Sequence, residues 1–292
     1  MITLGDPSRW TDQPGTIDDL IADAAALDFP ATKRLIYDWI GLGLLDHPAR
    51  RTSGGTGGSG KALFPWTQRN TFRLLVTQRP EVGTIAAMCN VPITFWLWWG
   101  DDYAPTSQVQ RALKTWAGQV SKKVTWQLAR REARRVTDFF DDLNASRDQR
   151  DRLIELLAKI AHTGSFDERA LTRALEEVFD PGSTGRVFGS GLASGSVDSF
   201  VKVIMGRLRG LERARLPAPL DELEHARTFY RVTRAQWARD RPDLALHPVR
   251  PTDEVLFRPE DVQQLFDRAG TELMFILGLH ATKSEVEPML TP

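Results

Sequence analysis

The sequence predicts a mainly α-helical protein in which an N-terminal helix-turn-helix with a wing precedes an all-helical C-terminal region. Three observations carry the prediction. Apolar residues recur at helical spacing through most of the 292 residues. No stretch alternates with period two for long, apart from a short piece near Lys61. The first eighty residues follow the order helix, tight break, helix, strand, glycine-rich tip, strand, helix.

Residues 1–15 carry Pro7 and Pro14 and read as irregular. Thr16 is a good N-cap, with Asp18 and Asp19 in the first turn that follows. Ile17, Leu20, Ile21, Ala24 and Leu27 then keep helical spacing until Asp28-Phe29-Pro30 breaks it. A second helix is predicted over 31–40, with Leu35, Ile36, Trp39 and Ile40 as its apolar face and Lys33 and Arg34 near its start. Gly43 suits a left-handed residue just past its end. Leu44-Leu45 opens a short extended piece, and Lys61-Ala-Leu-Phe64 reads as a return strand. Pro65 favours the first turn of a third helix that begins at Trp66. Two short helices with a basic second one are the outline of a helix-turn-helix, and the strands around a glycine-rich tip add a wing.

Residues 16–79 resemble the N-terminal DNA-binding domain of MerR-family regulators. That family tends to read T-L-R-Y-Y-E-x-x-G-L-L, then a proline and arginines, then an aromatic return strand and a helix. Here the corresponding run is Leu35-Ile-Tyr-Asp-Trp-Ile-Gly-Leu-Gly43-Leu44-Leu45, followed by Pro48, Arg50, Arg51 and Phe64. The family's arginine falls on Tyr37 and its paired tyrosines on Asp38 and Trp39. The longer, glycine-rich wing is closer to actinobacterial members of the family associated with mobile elements, and Trp98-Trp99-Gly-Asp-Asp-Tyr103 extends that likeness. The resemblance implies double-stranded DNA as partner, a homodimer and a role in transcription. It does not carry over the thiolate metal sensing common in the family, because Cys89 is the only cysteine.

Beyond residue 79 the pattern stays helical. A helix is expected over 82–89, a break at Asn90-Val91-Pro92, and a dense aromatic run over 93–99 that reads as core. Residues 107–143 hold one long apolar stripe. From Val109 to Leu143 it covers 34 residues in nine turns, about 3.8 per turn, where a left-handed coiled coil needs ~3.5. A break or bend near 130–135, or packing against successive neighbours, would account for this. Amphipathic helices follow over 152–162, 167–179, 197–211, 220–239 and 259–279. The organisation expected is a DNA-binding domain at 1–79, an aromatic connector at 80–106 and a helical region at 107–292. That last region would divide, if anywhere, at the Gly/Ser-rich stretch 182–196.

Charge is balanced overall, with 38 basic and 38 acidic residues, but it is unevenly placed. Residues 30–79 hold eight Lys/Arg against Asp38 and Asp46. Residues 111–135 hold eight against Glu132 alone. Two basic blocks in a neutral chain point to a polyanion. The candidate DNA contacts are Thr32, Lys33, Arg34 and Tyr37 on the second helix, Arg50, Arg51 and Lys61 flanking the wing, and Arg69 on the third helix. Base readers among them are not separable from phosphate contacts by sequence.

No catalytic constellation emerges. His47, His162, His225, His247 and His280 never pair at helical spacing, so no zincin site is expected, and no metal or cofactor. Gly55-Thr-Gly-Gly-Ser-Gly-Lys61 matches a phosphate loop up to the final hydroxyl, where Ala62 stands. It lacks a buried strand before it, and Pro65 interrupts the helix that should follow Lys61. The chain is therefore expected not to be an enzyme. With no secretory signal or spanning segment expected, a cytoplasmic DNA-binding regulator is the favoured reading. A non-catalytic adaptor or phage or plasmid accessory factor, using the aromatic run or the basic helix as its binding surface, is the alternative.

Overall fold

Thr16 and Asp19 close the first helix by a reciprocal capping box: the Thr16 hydroxyl accepts from the Asp19 N–H, and the Asp19 carboxylate accepts from the Thr16 N–H at 2.7 Å. That helix, α1, spans Ile17–Ala25. The computed structural model describes residues 10–49, 62–120, 124–138, 145–179, 197–245 and 262–286. Among them are eleven α-helices and no β-strand. Two compact units share the chain. Unit 1 comprises Met1–Val120, Arg213–Arg227 and Glu260–Met274, and unit 2 comprises Ser121–Glu212, Thr228–Pro259 and Phe275–Pro292.

In unit 1, α2 (Lys33–Gly41) follows α1 through a turn in which Asp28 takes a left-handed φ of 56°. It starts two residues later than its apolar pattern implies, because the Thr32 hydroxyl accepts the Leu35 N–H and makes Thr32 the cap. Ile36, Trp39 and Ile40 are its buried face. Past its end Gly43 has φ 80°, and a Cβ there would lie 2.2 Å from the backbone nitrogen of Ala112. Only glycine allows both that conformation and that approach.

Helix α3 (Trp66–Val82) begins after Pro65, as its sequence predicts, and runs through Pro80. Helix α4 (Ile85–Trp99) also runs through a proline, so the break expected at Asn90–Pro92 does not occur. Pro92 forfeits one backbone hydrogen bond, but every residue from Met88 to Leu97 is buried, which offsets that loss. Asn90, placed in that expected break, instead accepts the Gly270 N–H through Oδ1 at 2.8 Å. A short 3₁₀ turn, Gly100–Asp102, leads to α5 (Thr106–Val120). Asp101 joins the two: its Oδ1 accepts the Thr106 N–H and hydroxyl and the Trp96 indole N–H. The aromatic connector is therefore the centre of unit 1, with Phe95, Trp96 and Leu97 fully buried.

The described residues of the long stripe over 107–143 form two helices. α5 ends at Val120, and α6 (Trp126–Thr137) starts afresh where Thr125 caps the Leu128 N–H. Both bounds lie ahead of the 130–135 region that the drifting period suggested, and the two helices belong to different units. In unit 2, α6 joins α7 (Arg147–Thr163) and α8 (Glu168–Glu176) around a core that includes Ala129, Leu153, Leu157, Leu171 and Leu175. Helices α9 (Val197–Ala214), α10 (Leu220–Ala245) and α11 (Val262–Val286) complete the chain. The Gly/Ser-rich stretch at 182–196 lies outside the described residues.

Candidate nucleic-acid interface

Burying Ile36, Trp39 and Ile40 turns the opposite side of α2 outward. Trp39 fixes that orientation. Its ring lies 5.6 Å from Phe72 and 6.5 Å from Phe29, and the Arg79 guanidinium sits 5.8 Å from its centroid. Arg111 secures the far end by donating from Nε to the Ile40 carbonyl and from Nη2 to Asp46 at 2.7 Å. Gln68 and Gln108 add a buried polar lattice. Gln68 accepts the Asp46 N–H and donates to Gln108, and Gln108 donates to the Leu44 carbonyl. α2 is thus held by packing along its inner face and by hydrogen bonds at its exit.

Four candidate contacts lie together on its outer side. Thr32, Lys33 and Arg34 are exposed, and Tyr37 is 62% exposed. The Thr32 hydroxyl is engaged as the helix cap. Lys33 reaches Asp18 of α1 at 2.9 Å, a contact that raises its pKa through the hydrogen bond and then the charge of Asp18. Both partners are well solvated, so a phosphate could compete for this lysine. Arg34 makes no hydrogen bond or ion pair among the described residues. Asp38, also exposed, belongs to the same turn. With Asp18 and Asp38 against Lys33 and Arg34, the described part of this face is electrically balanced.

Arg50, Arg51 and Lys61 fall outside the described residues. What frames them is described. Ala49 and Leu63 exchange two backbone hydrogen bonds, at 2.8 and 3.0 Å, and Gly15 and Phe64 exchange another two, at 3.0 and 2.8 Å. The return segment Leu63-Phe64 therefore pairs with the chain before α1 and with the chain after α2, as isolated antiparallel bridges in place of the expected strand.

Arg69 stands apart from the other candidates. Its guanidinium grips Asp23 of α1 bidentately, at 2.6 and 2.9 Å, and donates weakly to the Gln13 carbonyl. The hydrogen bond to Asp23 raises its pKa against the opposing effect of burial. Such a pair, mostly shielded from water, fastens α3 to α1 and engages this guanidinium within the fold. Sequence reasoning missed Asp23 as its partner. The signal that could have found it is an acid on the buried side of α1, three residues after Leu20.

The second basic block is engaged only in part among the described residues. Arg111 serves α2, Arg130 pairs with Glu155 at 2.7 Å, and Arg131 and Arg135 approach Glu132. Lys114 and Arg134 remain exposed without such partners among the described residues. Other chemistry is sparse. No group of three His, Cys, Asp or Glu is placed to hold a metal ion among the described residues. Burial pushes the Cys89 thiol up to about 12, so it is no nucleophile at neutral pH. No described helix is long and apolar enough to cross a membrane. Comparison with known proteins brings no relative to this site: no family model, curated protein or solved structure matches the chain.

Proposed function

We propose that the protein binds double-stranded DNA in a sequence-directed way, with α2 as the recognition element, and acts as a transcriptional regulator. One observation carries the reading: α2 is clamped from its inner side while Lys33, Arg34 and Tyr37 stand on its outer side, directly after a tight turn from α1. The paired bridges around Leu63-Phe64 support a winged form of the motif, to which Arg50, Arg51 and Lys61 would contribute the phosphate contacts. The likeness of residues 16–79 to MerR-family domains supports the same reading, including a homodimer. Because the described face of α2 is charge-balanced, the wing cations would supply most of the phosphate attraction, and α2 would supply discrimination. The test is selection from a pool of random-sequence duplexes with the full chain. A consensus enriched over a protein-free control is the expected result. A pool that stays random through repeated rounds contradicts it.

A second reading, a non-catalytic adaptor, is favoured by one surface. Trp66 is 43% and Trp99 37% exposed, and both rings pack against Tyr103, at 5.5 and 5.3 Å. Aromatic surfaces of this kind are enriched in protein interfaces. No DNA affinity at low salt, together with fluorescence quenching of these two indoles by a protein partner, would favour the adaptor.

A further inference from the structure

Within unit 2, α6, α7 and α9 line a half-open hollow of about 430 Å³. Its walls are apolar: Val136 from α6, Leu157 and Ile160 from α7, and Phe200, Ile204 and Leu208 from α9. Its volume falls in the size range of small-molecule sites, roughly 300–1,000 Å³. Three charged residues reach it. Glu132 and Arg135 approach each other at 3.7 Å, and Glu132 also lies 3.6 Å from Arg131. Arg207 is different. It lines the hollow from α9 and has no hydrogen bond or ion pair among the described residues. The residue is exposed to solvent, yet the atoms around its guanidinium displace enough water to lower its pKa. Its charge persists at neutral pH, because an arginine does not deprotonate in that range.

An apolar groove beside a guanidinium that no described residue compensates complements one chemical shape: a hydrocarbon tail ending in an anion. Glu132, the carboxylate that lines the hollow, is already shared between two other arginines, so the mouth favours an anionic head over a cationic one. We propose that this hollow is a binding site for a single-chain amphipathic carboxylate, with the tail among Leu157, Phe200 and Ile204 and the carboxylate on Arg207. This site lies wholly within unit 2 and does not depend on the DNA-binding reading.

The test compares three probes with the same tail, decanoate, decanol and decylammonium, titrated calorimetrically into the full chain below the concentration at which each forms micelles. Decanoate is expected to bind at least tenfold more tightly than either of the others. Arg207→Gln should reduce decanoate to the affinity of decanol and leave decanol unchanged. Ile204→Trp, which fills the chamber, should abolish binding of both, with circular dichroism confirming that the helices persist. Should that variant fail to fold, the Arg207→Gln comparison still decides. Absence of decanoate binding, equal binding of all three probes, or an Arg207→Gln protein that still prefers decanoate would each overturn the proposal.

Discussion

Lys33 and Arg34 on α2 stand in solvent, whereas Arg69, Arg73 and Arg79 on α3 are turned onto Asp23, Phe29 and Trp39. All five belong to one basic stretch of sequence. A charge count treats them alike, but the fold does not. α3 is flanked by neighbours along most of its length, so its cations are drawn into ion pairs and ring contacts that fasten α1 and α2. α2 buries only one side, so its cations stay outside. The difference teaches that a basic window overstates a basic face. What remains for a polyanion is what the core has not already used.

Substitutions can break this contrast in order of size. The largest effect is expected on the α3 side. Asp23→Ala strands two guanidinium groups in a largely buried place and should destabilise unit 1 by about 3–5 kcal/mol in urea unfolding. A loss under about 1 kcal/mol would mean that Arg69 is free after all and belongs with the DNA contacts. Next is Gly43→Ala at the exit of α2, where a left-handed φ and a 2.2 Å approach to Ala112 coincide. A loss of at least about 2 kcal/mol is expected from strain alone, before the clash is counted. Native stability in the Gly43→Ala protein would show that the α2 exit is not held against α5. Thr32→Ala should be milder, about 1 kcal/mol, through loss of the α2 cap. If its unfolding midpoint is unmoved, the hydroxyl is free for a DNA contact and the cap is dispensable. The smallest change in stability belongs to Lys33→Ala with Arg34→Ala, because both side chains are exposed. Its unfolding curve should overlay that of the parent.

Much of this arrangement was legible in the sequence. Thr16 as N-cap, the start of α3 after Pro65 and the left-handed Gly43 all follow from local chemistry, and local chemistry is what a single sequence displays. The misses were tertiary. Pro92 reads as a helix breaker, yet burial of the surrounding aromatic residues carries α4 through it. The drifting period over 107–143 signals an interruption but not its place: α5 ends at Val120 and α6 begins at Trp126, ahead of the 130–135 region. Arg69 reads as a DNA contact because Asp23 lies 46 residues away and nothing local announces the pair. On α2 the outward set Thr32, Lys33, Arg34 and Tyr37 was readable from periodicity alone. The neutralising presence of Asp18 was not, since it sits on a different helix. The hollow in unit 2 left no mark in the sequence either, because its lining is ordinary helical core until three helices fail to close on it.

The central claim is that α2 is the DNA-reading face. It is tested most directly by fluorescence-anisotropy titration of the enriched duplex with the parent chain and with the Lys33→Ala, Arg34→Ala double variant at one fixed salt concentration. At least a tenfold rise in Kd is expected for the variant, with an unchanged unfolding midpoint. Equal Kd values for the two proteins would contradict it.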